Sequence, residues 1–440
     1  MPTLSHNDAP NDIDSLSQSQ FIKEIAEVIN NSTPPKGIGI NGYWGTGKTS
    51  ALLQLHRELT GILPTDNKRP KNLQVTTVWF EAWRYQNEPV PIISLLHEIR
   101  TRIRLWNRFL GKSKKLMGVV LQGVFTAFDE TIKVASAGLL QNTISGLNKA
   151  GEQWERNHYE TPLQGQHISD LLEEAIEKAL GSNSRNNRKL VIFIDDLDRC
   201  TPEVALKLLE GIKIYLNLKN CVVVFGMDQR QIEQALVKAL DLKGDNNGHQ
   251  AREYLEKICQ DIYHLPLPDK DAKKAYLLKL LEGLKIGNDD NEHRQHLATV
   301  LSNYDCLPAN PRKIKALANR LAVMLRANIL TGDLTLIEST GVRREYALLI
   351  SMTIIYTFHR QLNEQLEKDS KYINTVIMFA QDPSKVDKDL FEPMGGIKPS
   401  LAADKALPTN PSDSNIFRLH QLFRDLESIT ESEITIFLGK

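Results

Sequence analysis

GIGINGYWGTGKTSALLQLHREL, residues 37–59, sets three kinds of local structure in one order. Gly37 to Asn41 is a short apolar run of the kind that fills a buried strand, and GYWGTGKT, Gly42 to Thr49, satisfies the pattern GxxxxGK[ST]. The leucines that follow, Leu52, Leu53 and Leu55 with Ile62, predict a helix packed on a sheet. Strand, glycine turn and helix together make a phosphate-binding loop, or P-loop. Gly42, Gly45 and Gly47 allow backbone N–H groups to converge on phosphate oxygens, and the helix N-terminus behind them adds its dipole. Thr46 and Ser50 complete the set of positions expected around the nucleotide. Lys48 is expected to reach the β and γ phosphates as a point charge, and Thr49 to set its hydroxyl on Mg²⁺.

A P-loop needs an acid at the end of a second buried strand, and KLVIFIDDLD supplies it about 145 residues later. Five consecutive apolar residues, Leu190 to Ile194, suit a strand covered on both faces. Asp195 would hold Mg²⁺ through water, and Asp196 or Asp198 would orient and deprotonate the attacking water; spacing alone leaves the choice between those two open. Asp228, which ends the apolar strand CVVVFGMD, suits either a sensor of the γ-phosphate or the N-cap of the helix QRQIEQAL. Arg199, Arg252, Lys257 and Arg312 are candidates for meeting the charge that spreads over the γ-phosphoryl oxygens, or for ordinary surface ion pairs.

Around these motifs, strands alternate with helices as far as DIYHLPLP, which predicts an α/β fold with a parallel sheet and right-handed crossovers. After Pro268 the pattern becomes helical. The expected domains are a flexible polar leader over 1–17, an NTPase core over 18–268 with a helical insertion at about 105–157, a helical lid over 269–380, and a linker with a terminal helix over 381–440. REYALLISMTIIYTFHRQLNEQL is expected to be one helix, and Trp79 and Trp83 are expected to pack beneath the sheet edge, with a nucleotide or partner contact as the alternative. His293 and His296 stand without carboxylate company, which argues against a metal site.

The chain of 440 residues has 54 basic and 54 acidic side chains, so no net field draws it onto nucleic acid or an anionic membrane. Its four cysteines form no CxxC pair, which suits a reducing cytoplasm. The opening residues do not read as a signal or transit peptide. LMGVVLQGVFTAF, residues 116–128, falls short of the roughly 20 apolar residues that a membrane span requires, so membrane attachment is not expected.

Taken together, GYWGTGKTS, VWFEAWRYQNE, IDDLDRCTPEVALKLLEGIKIYL, CVVVFGMD, YLEKICQDIYHLPLP and NPRKIKALANRL resemble, in order, the KAP family of P-loop NTPases over roughly Gln18 to Ala327. The resemblance implies an additional-strand P-loop fold of three layers, related to AAA+ and STAND ATPases, followed by a helical lid. It gives Lys48 and Thr49 the Walker A roles and Asp195 the Walker B role, and it sets Arg199 in a DxxDRC-like signature. Arg312 matches the position of a lid sensor arginine; Arg252 and Lys257 match that of a finger offered to a neighbouring subunit. ATP with Mg²⁺ is the implied ligand pair, although no NKxD-like motif in the sequence distinguishes adenine from guanine. A homo-oligomer that signals to a separate effector, in a setting of phage exclusion, is the implied biology. Many members carry transmembrane helices between the two Walker motifs, whereas the stretch from Met117 to Leu147 is broken by charges. A tightly held nucleotide switch, and a nucleic-acid motor suggested only by basic helices such as PRKIKALANR, are the alternatives.

Overall fold

The structure, a computed structural model, describes residues 4–109 and 188–437, apart from 67, 69, 73, 89, 287–289, 331, 387–396 and 402–413, together with a few positions between 173 and 180. The expected insertion at about 105–157 lies almost wholly outside the described residues.

The core is built from α1 (Ser19–Asn31), β1 (Lys36–Asn41), α2 (Lys48–Thr60), β2 (Val75–Glu81), α3 (Pro91–Phe109), β3 (Lys189–Asp195), α4 (Pro202–Tyr215), β4 (Cys221–Met227), α5 (Gln229–Ala239), α6 (Asn247–Glu256) and β5 (Asp261–His264). All five strands are parallel, in the order β2-β3-β4-β1-β5. The acid-bearing β3 is therefore separated from the P-loop strand β1 by β4, the arrangement that defines an additional-strand P-loop sheet. Every residue of β3 and of β4 is buried. Successive side chains point to opposite faces, so each of these strands feeds two cores. Leu190, Ile192 and Ile194 pack with α3, α4, α5 and α6, while Val191 and Phe193 pack with α1 and α2. Trp79 joins the second of these clusters, its ring stacked 5.8 Å from that of Phe193. Lys189, at the buried foot of β3, donates to the carbonyls of Ile29, Asn30 and Ser32 and so ties the end of α1 to the sheet.

Beyond β5 the chain is helical: α7 (Lys270–Glu282), α8 (Asp290–Asn303), α9 (Pro311–Arg326), α10 (Arg344–Phe358), α11 (Arg360–Lys368), α12 (Tyr372–Gln381), α13 (Lys398–Leu401), α14 (His420–Leu426) and α15 (Glu431–Phe437). These helices share one apolar core that includes Leu281, Leu301, Leu321, Leu349, Val376 and Phe423. A two-stranded antiparallel pair, β6 (Leu336–Ile337) and β7 (Val342–Arg343), was not legible in the sequence. The single helix expected from Arg344 onward is two, because the backbone of His359 leaves the helical region at φ −126°, ψ 62°, and the turn returns Leu362 and Leu366 to the same core.

The sheet also depends on close backbone approach. A Cβ at Gly37 would fall onto the carbonyl oxygen of Ile258, and one at Gly226 would come within 2.5 Å of Leu52 Cδ1 and 3.2 Å of an Asp195 carboxylate oxygen. Gly37→Ala should cost at least about 1–3 kcal/mol, as overpacking against backbone does, and thermal denaturation should show a transition lowered by several degrees or lost.

Candidate functional site

Parallel strands end on one edge of a sheet, and here the C-terminal ends of β1, β3 and β4 bring the P-loop, Asp195 and Asp228 to a common cleft. Its volume is about 890 Å³. The loop from Gly42 to Gly47 is shaped by its own bonds: Gly42 N–H donates to Met227 O at 3.0 Å, and Thr46 donates to Tyr43 O through both its N–H, at 3.2 Å, and its hydroxyl, at 2.7 Å. Gly45 and Gly47 lie at φ +84° and +99°, where side chains are disfavoured, and a Cβ at Gly42 would reach Thr46 Oγ1 at 2.8 Å. Gly45 and Gly47 line the cleft, whereas Gly42 lies behind it against Thr46, Lys48 and Leu265.

Lys48 and Thr49 open α2, which places them on the cleft floor. The Lys48 ammonium meets an Asp198 carboxylate oxygen at 3.0 Å, with less than a tenth of either side chain exposed. The same Asp198 oxygen accepts the Asp228 N–H at 3.2 Å. The Thr49 hydroxyl donates to Asp195, which also accepts the Asp196 N–H at 3.0 Å. Burial, and next the charge of Asp196, push the Asp195 carboxyl up to about 7 despite those bonds. Asp195 is therefore a buried acid that pairs with no cationic side chain among the described residues. A threonine hydroxyl and a buried carboxylate side by side are hard oxygen donors of the kind Mg²⁺ takes, and the missing positive charge fits a divalent ion there.

Asp196 sits in the left-handed region at φ 58° and pairs with Arg199 at 2.9 Å. Asp228 caps α5, accepting the Arg230 N–H at 3.2 Å, while also lining the cleft, so the two roles left open for it in the sequence are compatible. Arg312 also lines the cleft, beside Ser50, Asp198 and Arg199. Arg252 and Lys257 do not line it: Arg252 is exposed and pairs with Glu233 on α5 at 3.1 Å, and Lys257 is exposed at the end of α6.

Three features of the site were not read in the sequence. Glu81 lies beside Asp195 in the β2–β3 register and also lines the cleft; the acid that ends the neighbouring parallel strand was the available signal. Trp83 is not beneath the sheet edge but 47% exposed on the cleft rim, because the chain leaves β2 in a tight turn at Ala82–Tyr85 that points it outward. The leader does not stand free of the core. His6 bonds Asn319 and the Leu280 carbonyl, Asn11 N–H donates to Ser50 Oγ at 3.0 Å, Asp12 pairs with Arg57 at 2.6 Å, and Asp8 approaches Arg312 Nε at 2.7 Å without the alignment of a hydrogen bond. Residues Asp8 to Leu16 thereby form one wall of the cleft.

A model of the KAP family P-loop domain matches residues 18–328. The chain belongs to the KAP family of P-loop NTPases. A curated relative is the phage T7 exclusion protein of Escherichia coli (strain K12), 22% identical over 332 residues, which are 68% of this chain and 40% of that protein. The chain thus spans well under half of that relative's length. Among solved structures, that of Drosophila ORC bound to DNA aligns over 95% of this chain and 85% of the other at 13% identity, with a TM-score of 0.32. As in other members, nucleotide is the ligand for which a P-loop is built, and no helix among the described residues of this KAP domain is long and apolar enough to cross a membrane.

The raised pKa of Asp195 has a sign that can be checked. Since the folded state holds this proton more tightly than the unfolded chain, the associated stability is present below about pH 4 and is lost as pH rises through about 7. Without Mg²⁺ and nucleotide, the melting temperature of wild type relative to Asp195→Asn should fall across that window, leaving the variant the more stable at pH 8. Differential scanning calorimetry of both proteins at matched ionic strength measures this directly.

Proposed function

We propose that this KAP domain binds ATP with Mg²⁺ and hydrolyses it, and that the cycle drives assembly of the chain or switches a separate effector. The observation that carries the reading is the cleft floor itself: Lys48 beside Asp198, and Thr49 beside an unbalanced Asp195, beneath a bare glycine loop. Lys48 would exchange Asp198 for the β and γ phosphates. Thr49 and Asp195 would hold Mg²⁺, which when bound neutralises charge on the phosphate oxygens. Asp198, released from Lys48, or Asp196 would orient the attacking water, and Arg312 and Asp228 would sense the γ-phosphate. Arg199 would stabilise charge from within the chain; Arg252 and Lys257, exposed and away from this chain's own cleft, suit a contribution to a neighbour. The name of the Escherichia coli relative, a phage T7 exclusion protein, supports phage exclusion as the setting.

A second reading has its own support. Both candidate bases are engaged, Asp198 by Lys48 and the Asp228 N–H, and Asp196 by Arg199. A protein that holds nucleotide and hydrolyses it negligibly would keep them so.

ATP turnover against protein concentration separates the two. We expect activity that rises faster than protein concentration and falls at least about 100-fold in Lys48→Ala and in Asp195→Ala, the scale of removing a preorganised charge from a closed site. Mg²⁺-dependent ATP binding without turnover of ATP or GTP at any concentration would replace the ATPase by the switch.

A further inference from the structure

Asn310 precedes Pro311 and caps α9, and the rest of its amide is bonded as well. The side chain is 3% exposed. Its oxygen accepts the N–H groups of Arg312 at 3.0 Å and Lys313 at 3.3 Å. Its nitrogen donates to the Trp44 carbonyl of the P-loop at 3.1 Å and to Asn415 Oδ1 at 2.6 Å. All four directions of one buried amide are thus used, and they join three stretches of chain: the P-loop, the first turn of α9, and the segment before α14. Lys313 reinforces the last of these by donating to the Asn415 carbonyl at 2.8 Å.

The P-loop is shaped to receive this amide. A Cβ at Gly45 would lie 2.6 Å from Asn310 Oδ1 and 2.8 Å from its nitrogen, so the amide lies against bare backbone that only glycine provides. The Arg312 N–H also faces the Gly45 carbonyl at 3.5 Å. Arg312, whose guanidinium lines the cleft, rests on Asp8 and lies over the Trp44 ring at 5.6 Å, and its backbone is held against the phosphate loop through Asn310.

We propose that Asn310 is a positioning residue: by clamping the start of α9 to the Trp44 carbonyl and to Asn415, it sets Arg312 at the distance from the P-loop at which the third phosphate of a nucleoside triphosphate is read. The inference rests on the reading of the cleft as a triphosphate site. Asn310→Asp isolates the clamp on the P-loop from the cap, because a carboxylate still accepts from Arg312 N and Lys313 N at a helix N-terminus but meets the Trp44 carbonyl acceptor to acceptor, while the Asn415 amide can turn to donate to it.

The test is equilibrium binding of a non-hydrolysable ATP analogue and of ADP, each with Mg²⁺, to wild type, Asn310→Asp and Asn415→Ala, with melting temperatures recorded alongside. We expect Asn310→Asp to bind ADP within about threefold of wild type but to lose about tenfold or more in affinity for the analogue, the range of one hydrogen bond to a charged group. Asn415→Ala, which leaves the cap untouched, should shift the analogue in the same direction by less. Equal losses for both nucleotides, or unchanged affinity for the analogue, would overturn the positioning role and leave the triphosphate reading standing. If Asn310→Asp does not fold, Asn415→Ala decides: unaltered preference for the analogue overturns the proposal. Wild type that binds neither nucleotide would overturn the triphosphate reading and the inference together.

Discussion

Lys48 and Asp198 face each other at 3.0 Å with almost no access to water, and the cleft is organised around the balance of such buried charges. An ion pair withdrawn from solvent is tolerated only when each member is matched, and loss of one partner leaves the other strongly destabilising. The neighbouring acids illustrate the range of solutions. Asp196 has Arg199, and Asp228 has the N-terminus of α5. Asp195 has only hydrogen bonds, and burial drives it toward its protonated form. The floor is therefore charged unevenly, with one acid held by hydrogen bonds and one lysine paired with an acid. On the proposed function, Mg²⁺ beside Asp195 and phosphates beside Lys48 would each meet a charge that the floor otherwise handles by burial or by pairing within the chain.

The lid and the leader extend the same logic to the cleft walls. Arg312 comes from α9 and Asp8 from residues that precede the first helix, yet they meet over the P-loop. Lys315 on α9 holds the Ala9 carbonyl at 3.1 Å, and Lys279 on α7 reaches Ser15 at 3.3 Å. The polar leader is thus a surface on which lid and loop both lean, each contact weak and solvent-accessible. Contacts of that kind exchange readily for others, which suits a wall that must admit a highly charged ligand.

What the sequence revealed follows from how locally each feature is encoded. The strands β3 and β4 are unbroken apolar runs closed by acids, and the P-loop carries its own glycines, so fold class, sheet content and the cleft floor were readable from short windows. The fate of His6, bound to Asn319 across 313 residues, was not, because a polar tail and a polar strap have the same composition. For Trp83 the sequence left packing beneath the sheet and an outward contact both open, since an aromatic two residues beyond a strand packs inward or outward according to a single turn. The clamp at Asn310 was not legible, because the Trp44 carbonyl that completes it lies 266 residues away.

The position of β4 between β1 and β3 has a consequence for how such a protein can vary. Two interstrand steps of about 4.8 Å fix the span between the phosphate loop and the Asp195 strand at roughly 10 Å, and backbone hydrogen bonds set that span without help from side chains. Gly226 keeps its middle clear. The gauge of the cleft is accordingly a property of sheet order and is insensitive to most point substitutions, while its rim and outer wall come from loops, lid and leader. Divergence among proteins with this sheet can thus rewrite who is recognised and what is signalled while the spacing between phosphate and acid is inherited unchanged.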